Sequence, residues 1–581
     1  MKKFILLPLL LLISCFGGPD SDIEKFFEKS FQERLDMSPQ YQTMLGIDKN
    51  EDKLSDYSEA GSEKTHELVL KQLEELKQFP FEKLSESNKQ SYKVFEWSSK
   101  IEIENYKYRY YNFPINQMFG IQSELPSFMI NTHPLKNKKN ALNYIARLKE
   151  FPRVFKEIVE QLKKSKEMGI MAPRFAYEKG IDDIKNLLKD EPLSTDFNEK
   201  ISKLDNISDE EKKSLNLQVK TTLESIVKPA YQTLLSHLES VKNQAPIEGG
   251  AYTLPKGNEY YQSQLNWHTS TAMNAQEIHD LGLSEVARIH NEMKDIMKQV
   301  DFKGDLKSFF KFMQTSEQFK YPDNKAGREQ YISDATKTID TMKANLDKMF
   351  GIKPKAPLRV KAVEAYREKS AGLAFYEIPA PDGSRPGTYY INLYDMNSVL
   401  KYEMEALAYH EGIPGHHMQL AIAQELKDLP EFRKYAEYTA YVEGWGLYSE
   451  YLPKEFGFYQ DPYSDFGRLS MELWRACRLV VDTGIHALKW NRNKAIQYLN
   501  DNTPSFEADN IKAVERYLVM PGQATSYKIG MLKFQELKKL AEEKLGSKFK
   551  IQSFHDEALK YGALPLSILE ENIHKWIAKN K

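Results

Sequence analysis

The stretch His410-Glu411-Gly412-Ile413-Pro414-Gly415-His416-His417 decides how this chain is read. It opens as the zinc-binding helix pattern H-E-x-x-H does, then inserts Pro-Gly where the second His would come. A His-Glu pair on a helix supplies a metal ligand and, beside it, a carboxylate that can activate a metal-bound water. On an unbroken helix, ligands at i and i+4 lie one turn apart on one face and converge on one ion. Position i+4 here is Pro414, whose ring clashes with the carbonyl of His410 and which has no N–H to donate back. Gly415 tolerates backbone angles that other residues avoid. The pattern predicts a kink or bulge between Ile413 and His416, which brings His416 back toward the place of an i+4 ligand. His417 is the rival. On an ideal helix it shares the face of His410 but lies roughly 10.5 Å along the axis, whereas one zinc needs both nitrogens about 2.0–2.1 Å away. The residues alone leave both histidines open, and a set of surface histidines at a helix end is the bland alternative.

A third ligand is needed, and a Glu from elsewhere in the chain is a known solution. The segment Tyr435 to Tyr448 has helical apolar spacing at Tyr438, Tyr441, Val442, Trp445 and Tyr448. Glu443 is embedded among these aromatics, where an unpaired carboxylate is costly. A metal resolves that cost; an Arg partner or a water-facing position is the plainer account.

Taken together, these motifs resemble the DUF885 family, bacterial proteins grouped with the zincin-like metallopeptidases. The family pattern is H-E-x-x-P-G-H followed further on by E-G-W-A-L-Y. This chain has His410-Glu411-x-x-Pro414-Gly415-His416 and Glu443-Gly444-Trp445-Gly446-Leu447-Tyr448, with Gly446 in place of the usual Ala, a small-for-small change. The resemblance selects His416 over His417. It implies His410, His416 and Glu443 as ligands of Zn2+ and Glu411 as general base. Three further segments are similar to the family: Pro381 to Leu393, Arg478 to His486 and Arg516 to Gly530. The likeness covers nearly all of the mature chain and is strongest from about Gly372 to Gly530.

The expected fold is mostly α, an elongated helical zincin-like metallopeptidase with a small β element around Thr388 to Leu393 beside the metal helix. In zincin-like peptidases a strand edge there holds an extended substrate by strand addition. Tyr389 and Tyr390 are the candidates, with an ordinary packing hairpin as the alternative. The chemistry expected is zinc-dependent hydrolysis of oligopeptides, with Glu411 moving the proton. An oxyanion donor is also needed. Tyr527 is the first candidate and His486 the second. Arg478, Arg516 and Lys528 are cations suited to a peptide carboxylate. Two other readings stand beside this one. One is a lipid-anchored, metal-retaining peptide-binding protein without turnover, against which an intact Glu411 speaks. The other is a zinc hydrolase of a non-peptide amide or ester.

The chain has 581 residues, 28% of them charged, with a net charge of −2, so nothing electrostatic favours nucleic acid as a partner. Lys2-Lys3 followed by the apolar run Phe4 to Ile13 reads as a secretion signal too short to span a bilayer. The run ends in Leu12-Ile13-Ser14-Cys15, which resembles a bacterial lipoprotein cleavage box, so residues 1–15 read as signal peptide and lipobox with Cys15 carrying lipid. That predicts a bacterial cell-envelope protein, anchored in the membrane by lipid and facing the periplasm. The only other cysteine, Cys477, reads as a small buried apolar residue rather than a nucleophile. Gly17 to Ser21 reads as a tether. Residues 16–250 form a predicted N-terminal helical region and 251–581 a catalytic helical region with the zinc motif. Within Ala141 to Met168 a core-packing stripe recurs at helical spacing, and Pro152 is expected to end one helix or begin the next. The polar run Ser194 to Ser214 and the loop Gln244 to Asn258 are the expected internal boundaries.

Overall fold

The computed structural model describes residues 18–364, 368, 372–380, 383, 385–427 and 429–581. The signal segment with Cys15, and Pro381, Asp382 and Ser384 of the turn-rich run, lie outside the described residues. The fold is mostly α-helical, with one small three-stranded sheet.

The first helix, Pro19–Asp36, begins inside the segment read as a tether. Proline at N1 and the acidic Asp20 and Asp22 in the first turn favour a helix start there. Pro152 likewise does not break its helix. Lys138–Glu167 runs unbroken through it. Pro152 lies on the exposed face, while Leu148, Phe151, Val154, Phe155 and Ile158 around it are buried. Burying each such side chain is worth about 1.5–3 kcal/mol, so together they outweigh the ~3 kcal/mol cost of the internal proline. The polar run at 194–214 is also not a seam. It forms helices Pro192–Ser202 and Asp209–Thr222, and Phe197, Ile201 and Leu215 join the same apolar core as Phe151. The loop 244–258 holds two single turns of 3-10 helix and lies against the C-terminal end of helix Pro462–His486, where a Cβ on Gly250 would come 2.5 Å from the Ile485 carbonyl.

Strands β1 (Leu358–Ala362), β2 (Ala374–Glu377) and β3 (Gly387–Ile391) form the sheet in the order β1-β3-β2. β1 pairs parallel with β3, Val360 opposite Tyr389, and β2 pairs antiparallel with it, Tyr376 opposite Tyr389. β3 is therefore central, and both of its edges are taken. Strand addition at Tyr389 and Tyr390 has no free main chain to use, which corrects the expectation for these two residues.

The sheet packs against helices Lys401–Glu411 and His416–Glu425, which carry the two halves of the histidine motif. Helix Thr439–Glu455 packs along Ser526–Leu545. Their close approach depends on two glycines: a Cβ on Gly444 would lie 2.4 Å from the Gly530 Cα, and one on Gly530 would lie 1.8 Å from the Ala440 carbonyl. The long helix Pro462–His486 lies between Ala275–Gln299 and Lys401–Glu411. A buried charge network ties it in. The Lys528 ammonium, fully enclosed, donates to Glu472 at 2.6 Å and lies 2.8 Å from Glu285. Cys477 is buried and burial pushes its thiol well up, as a packing residue requires.

Gly530→Ala is expected to force these two helices apart and cost roughly 1–3 kcal/mol of stability or more. A denaturant melt showing no loss would remove the close approach as a constraint on the fold.

Candidate metal centre

Helix Lys401–Glu411 ends two residues before the break expected between Ile413 and His416, and a new helix starts at His416. Between them the backbone turns at Gly412 (φ −100°, ψ −117°) and Gly415 (φ −78°, ψ −128°). The turn folds tightly back on the first helix: a Cβ on Gly415 would come 2.0 Å from the His410 carbonyl and 2.3 Å from that of Tyr409. Glycine is the residue that fits. The Trp445 indole N–H donates to the Pro414 carbonyl at 2.9 Å and fixes the turn to the neighbouring helix.

The break brings His416 beside His410, with ring centroids 4.6 Å apart and rings nearly perpendicular. Glu443 Oε2 lies 3.6 Å from His410 Nε2 and 3.6 Å from His416 Nε2. One donor atom from each of the three lies within 4.8 Å of the others. At 3.6 Å the contacts are too long for hydrogen bonds. Donors held about 2.0–2.1 Å from a tetrahedral zinc sit roughly 3.3–3.4 Å from one another, so the spacing fits one ion in the middle. Two imidazoles and a carboxylate are a donor set that zinc accepts.

His410 is held from behind, whereas the buried Nδ1 of His416 has no partner among the described residues. His410 Nδ1 lies 2.6 Å from Glu450 Oε1, the outer carboxylate that fixes the ring and leaves Nε2 facing Glu443. Arg475 Nη2, 3.8 Å from the same oxygen, partly offsets the Glu450 charge. Burial disfavours a charged His410, but Glu443 and Glu450 outweigh it and lift the imidazole to about 10. Burial also pushes Glu443 up, yet His410 and His416 outweigh it and hold the carboxyl well below its usual range. The electrostatics of the pocket favour positive charge at its centre. Glu443 keeps 24% of its side chain exposed, so solvent reaches the cluster.

His417 is engaged elsewhere. Its Nε2 donates to the Ala356 carbonyl at 3.1 Å, and its Nδ1 accepts from the Tyr376 hydroxyl at 2.9 Å. Burial holds it neutral, down at about 4. With both nitrogens used and the ring turned to the sheet, it is not a member of the cluster.

A family model described as "Bacterial protein of unknown function (DUF885)" matches residues 39–573. The chain belongs to the DUF885 family. Its fold is similar to the crystal structure of "the putative lipoprotein from Colwellia psychrerythraea", with a TM-score of 0.90 and 32% identity over 97% of this chain and 99% of that one. It is also similar to a protein described as "a putative lipoprotein of unknown function from Shewanella oneidensis", with a TM-score of 0.74 and 18% identity over 94% and 98%. At that second identity the likeness is one of fold. No curated protein matches the chain.

The remaining candidates of this DUF885 chain divide by position. Glu411, 8% exposed, follows His410 and has no hydrogen-bond partner among the described residues. Its charge reaches Tyr389, whose hydroxyl also lies 3.3 Å from that of Tyr331. Tyr389 therefore sits beside Glu411 by its side chain, whereas Tyr390 stacks on Phe375 at 5.0 Å, away from the cluster. Tyr527 lies one turn before Gly530, on the helix that touches Gly444. The Arg478 guanidinium lies over the Tyr527 ring at 4.5 Å and within reach of the Glu443 charge.

His486 and Lys528 are placed differently from the expectation. His486 is fully buried, accepts from the Ala251 N–H at 2.9 Å and donates through Nε2 to the Tyr517 carbonyl at 2.9 Å. Burial keeps it neutral, down at about 4. Both nitrogens hold backbone, so it is no oxyanion donor. Lys528 is neutralised by Glu472 and Glu285 and cannot meet a substrate. Arg516 donates to Gln523 Oε1 at 2.6 Å and keeps its buried Nε without a partner.

Two site residues were missed. Glu450 follows Glu443 by seven residues, two turns along the same helix face, a spacing readable in the sequence. Arg475 carried no signal, because only the packing of two helices brings it to Glu450. Gly446 also has more weight than a small-for-small change: a Cβ there would lie 2.7 Å from His410 Cε1 and 2.9 Å from its Nε2.

His416→Ala is expected to abolish tight zinc binding, whereas His417→Ala costs at most the roughly 10- to 100-fold of a residue outside the first ligand shell. Competition titration against a chromophoric chelator measures both, and the reverse ranking would overturn the ligand assignment.

Proposed function

We propose that the protein is a zinc-dependent hydrolase, a metallopeptidase of zincin-like type that cleaves oligopeptides. The observation that carries this reading is the convergence of His410, His416 and Glu443 within 4.8 Å, with the unbonded carboxylate of Glu411 next to them in the chain. His410, His416 and Glu443 hold the ion. Zinc bound there supplies Lewis-acid activation of a water and of the scissile carbonyl.

The chain's own residues supply the rest. Glu411 takes a proton from the attacking water and later hands it to the leaving amine. A free, partly solvated carboxylate suits that work, since a carboxylate already bonded to an N–H would hold its proton sites occupied. Tyr527, one turn before the Gly530 that meets Gly444, donates its hydroxyl to the developing oxyanion. Glu450 keeps His410 in one orientation through the cycle, and Arg475 steadies Glu450. A protein that only bound peptides would have no use for Glu411, which favours turnover over a non-catalytic binding role.

The Leu12-Ile13-Ser14-Cys15 box, together with the description of the similar Colwellia psychrerythraea protein as a lipoprotein, supports a lipid anchor at Cys15. We place the protein at the bacterial cell envelope, with the catalytic region facing the periplasm.

The purified chain from residue 20 onward is expected to bind about one zinc and to cleave members of a peptide library, with loss of cleavage on chelation. Mass spectrometry of the digest and elemental analysis of the protein read both; a zinc-free protein after reconstitution ends the proposal.

Glu411→Gln, nearly isosteric and not a ligand, is expected to keep its zinc while hydrolysis falls roughly 100- to 10,000-fold. Full activity in this variant would take Glu411 out of its role.

A further inference from the structure

Buried cations in this protein are almost all answered. Lys528 has Glu472 and Glu285, and Arg468 has Asp465 at 2.8 Å and Glu472 at 3.4 Å. Arg147, fully enclosed, donates to the Lys53 carbonyl at 2.9 Å, the Thr43 hydroxyl at 2.7 Å and His133 at 2.8 Å. Arg478 breaks the pattern. Among the described residues it forms no ion pair and no hydrogen bond of ordinary geometry, and its Nε and Nη1 are buried without a partner. The Tyr517 hydroxyl, in a side chain only 1% exposed, faces it as a neutral neighbour. Arg516 adds a second guanidinium with no ion pair and an unpartnered Nε, and the unpartnered Nδ1 of His268 belongs to a ring beside it. Leaving such donors unpaired away from bulk water costs free energy, more for charged groups than for neutral ones.

We propose that Arg478, with Arg516 and Tyr517, binds the C-terminal carboxylate of the substrate, which makes the enzyme a carboxyl-end exopeptidase. The inference rests on the peptidase reading above and adds the substrate class. Position argues for it. Arg478 lies over the ring of Tyr527, and Tyr527 is on the helix that touches Gly444, the neighbour of the ligand Glu443. One turn earlier on the same helix, Arg475 reaches Glu450 and, through it, His410. Arg475 and Arg478 lie one turn apart on one face of their helix, so a carboxylate paired with Arg478 would hold a chain end on the side of the helix that backs the cluster. The guanidinium fork matches a carboxylate with paired hydrogen bonds and is always charged. In the reaction, water adds across the C–N bond: the acyl carbon gains OH, the nitrogen gains H, and a shortened peptide acid and a free amino acid or dipeptide leave.

The test compares an N-acetylated tripeptide acid with its C-terminal amide. With zinc-loaded protein, kcat/KM for the acid should exceed that for the amide by about 100-fold, the scale of a lost charge-assisted pair in a site built for it. Arg478→Gln should remove most of that preference by lowering kcat/KM for the acid far more than for the amide, and Arg516→Gln should remove part of it. Equal cleavage of acid and amide, or an Arg478→Gln variant slowed equally on both, overturns the proposal. Calorimetry on the metal-free protein separates the two readings. If it binds the acid and not the amide, and Arg478→Gln abolishes that binding, the carboxylate site stands even where no zinc-dependent hydrolysis is found. If the zinc-loaded protein hydrolyses peptides but neither form of the protein distinguishes acid from amide, the hydrolase reading stands and the carboxylate site falls.

Discussion

The hydrogen bond from the Trp445 indole to the Pro414 carbonyl joins the two parts of the centre. Pro414 cannot continue the helix, so the chain must turn after Glu411, and a turn left to itself would sample many directions. The indole, fully buried, selects one. Gly415 makes the choice possible by letting the turn lie against the carbonyls of Tyr409 and His410. His416 then returns to His410, and the helix that carries Trp445 brings Glu443 to both. The same helix supplies Glu450 to the far side of His410. Glu443, the clamp on the turn that returns His416, and the outer carboxylate of Glu450 thus depend on how Thr439–Glu455 docks, and its docking depends on the bare backbone contact of Gly444 with Gly530.

Behind Trp445 the aromatic packing is continuous. The indole meets Phe534, Tyr448 and His555 with ring centroids 5.3–5.8 Å apart. Tyr448 donates to His555 Nε2 at 2.9 Å and His555 Nδ1 donates to the Met349 carbonyl at 2.7 Å, so the buried polar atoms of the layer are satisfied. Burial holds His555 neutral, down at about 3. A close-packed, satisfied layer resists displacement. Glu443 and the turn that leads to His416 therefore stand on rigid ground.

The histidine motif and Glu443 were legible because their chemistry is local: a proline and a glycine at fixed positions dictate a break, and an acid among aromatics at helical spacing needs a partner. The helical character of the chain was legible for the same reason. What sequence could not supply was the identity of long-range neighbours. Lys528 and Arg478 look alike as cations in motif-rich segments, yet one meets two acids from distant helices and the other meets none. His486 resembles a proton donor until the backbone of Ala251 and Tyr517 is seen to occupy both nitrogens. β3 reads as an edge or a centre with equal ease, because β1 and β2 are short and their pairing is set by the whole sheet. Pro152 reads as a break because the rule is local, and it fails where a buried stripe on both sides holds the helix together.

The treatment of charge in the interior follows from these placements. A buried ion pair contributes little to net stability once desolvation is counted, though breaking one is costly. The Lys528–Glu472–Glu285 network is best understood as fixing which helix lies against which, since a hydrophobic packing would be less selective about register. Leaving Arg478 unanswered has no such structural return. Its guanidinium lies against the Tyr517 hydroxyl and over the Tyr527 ring, two neutral neighbours that do not cancel its charge, so the charge at this position is kept for a partner from outside the fold.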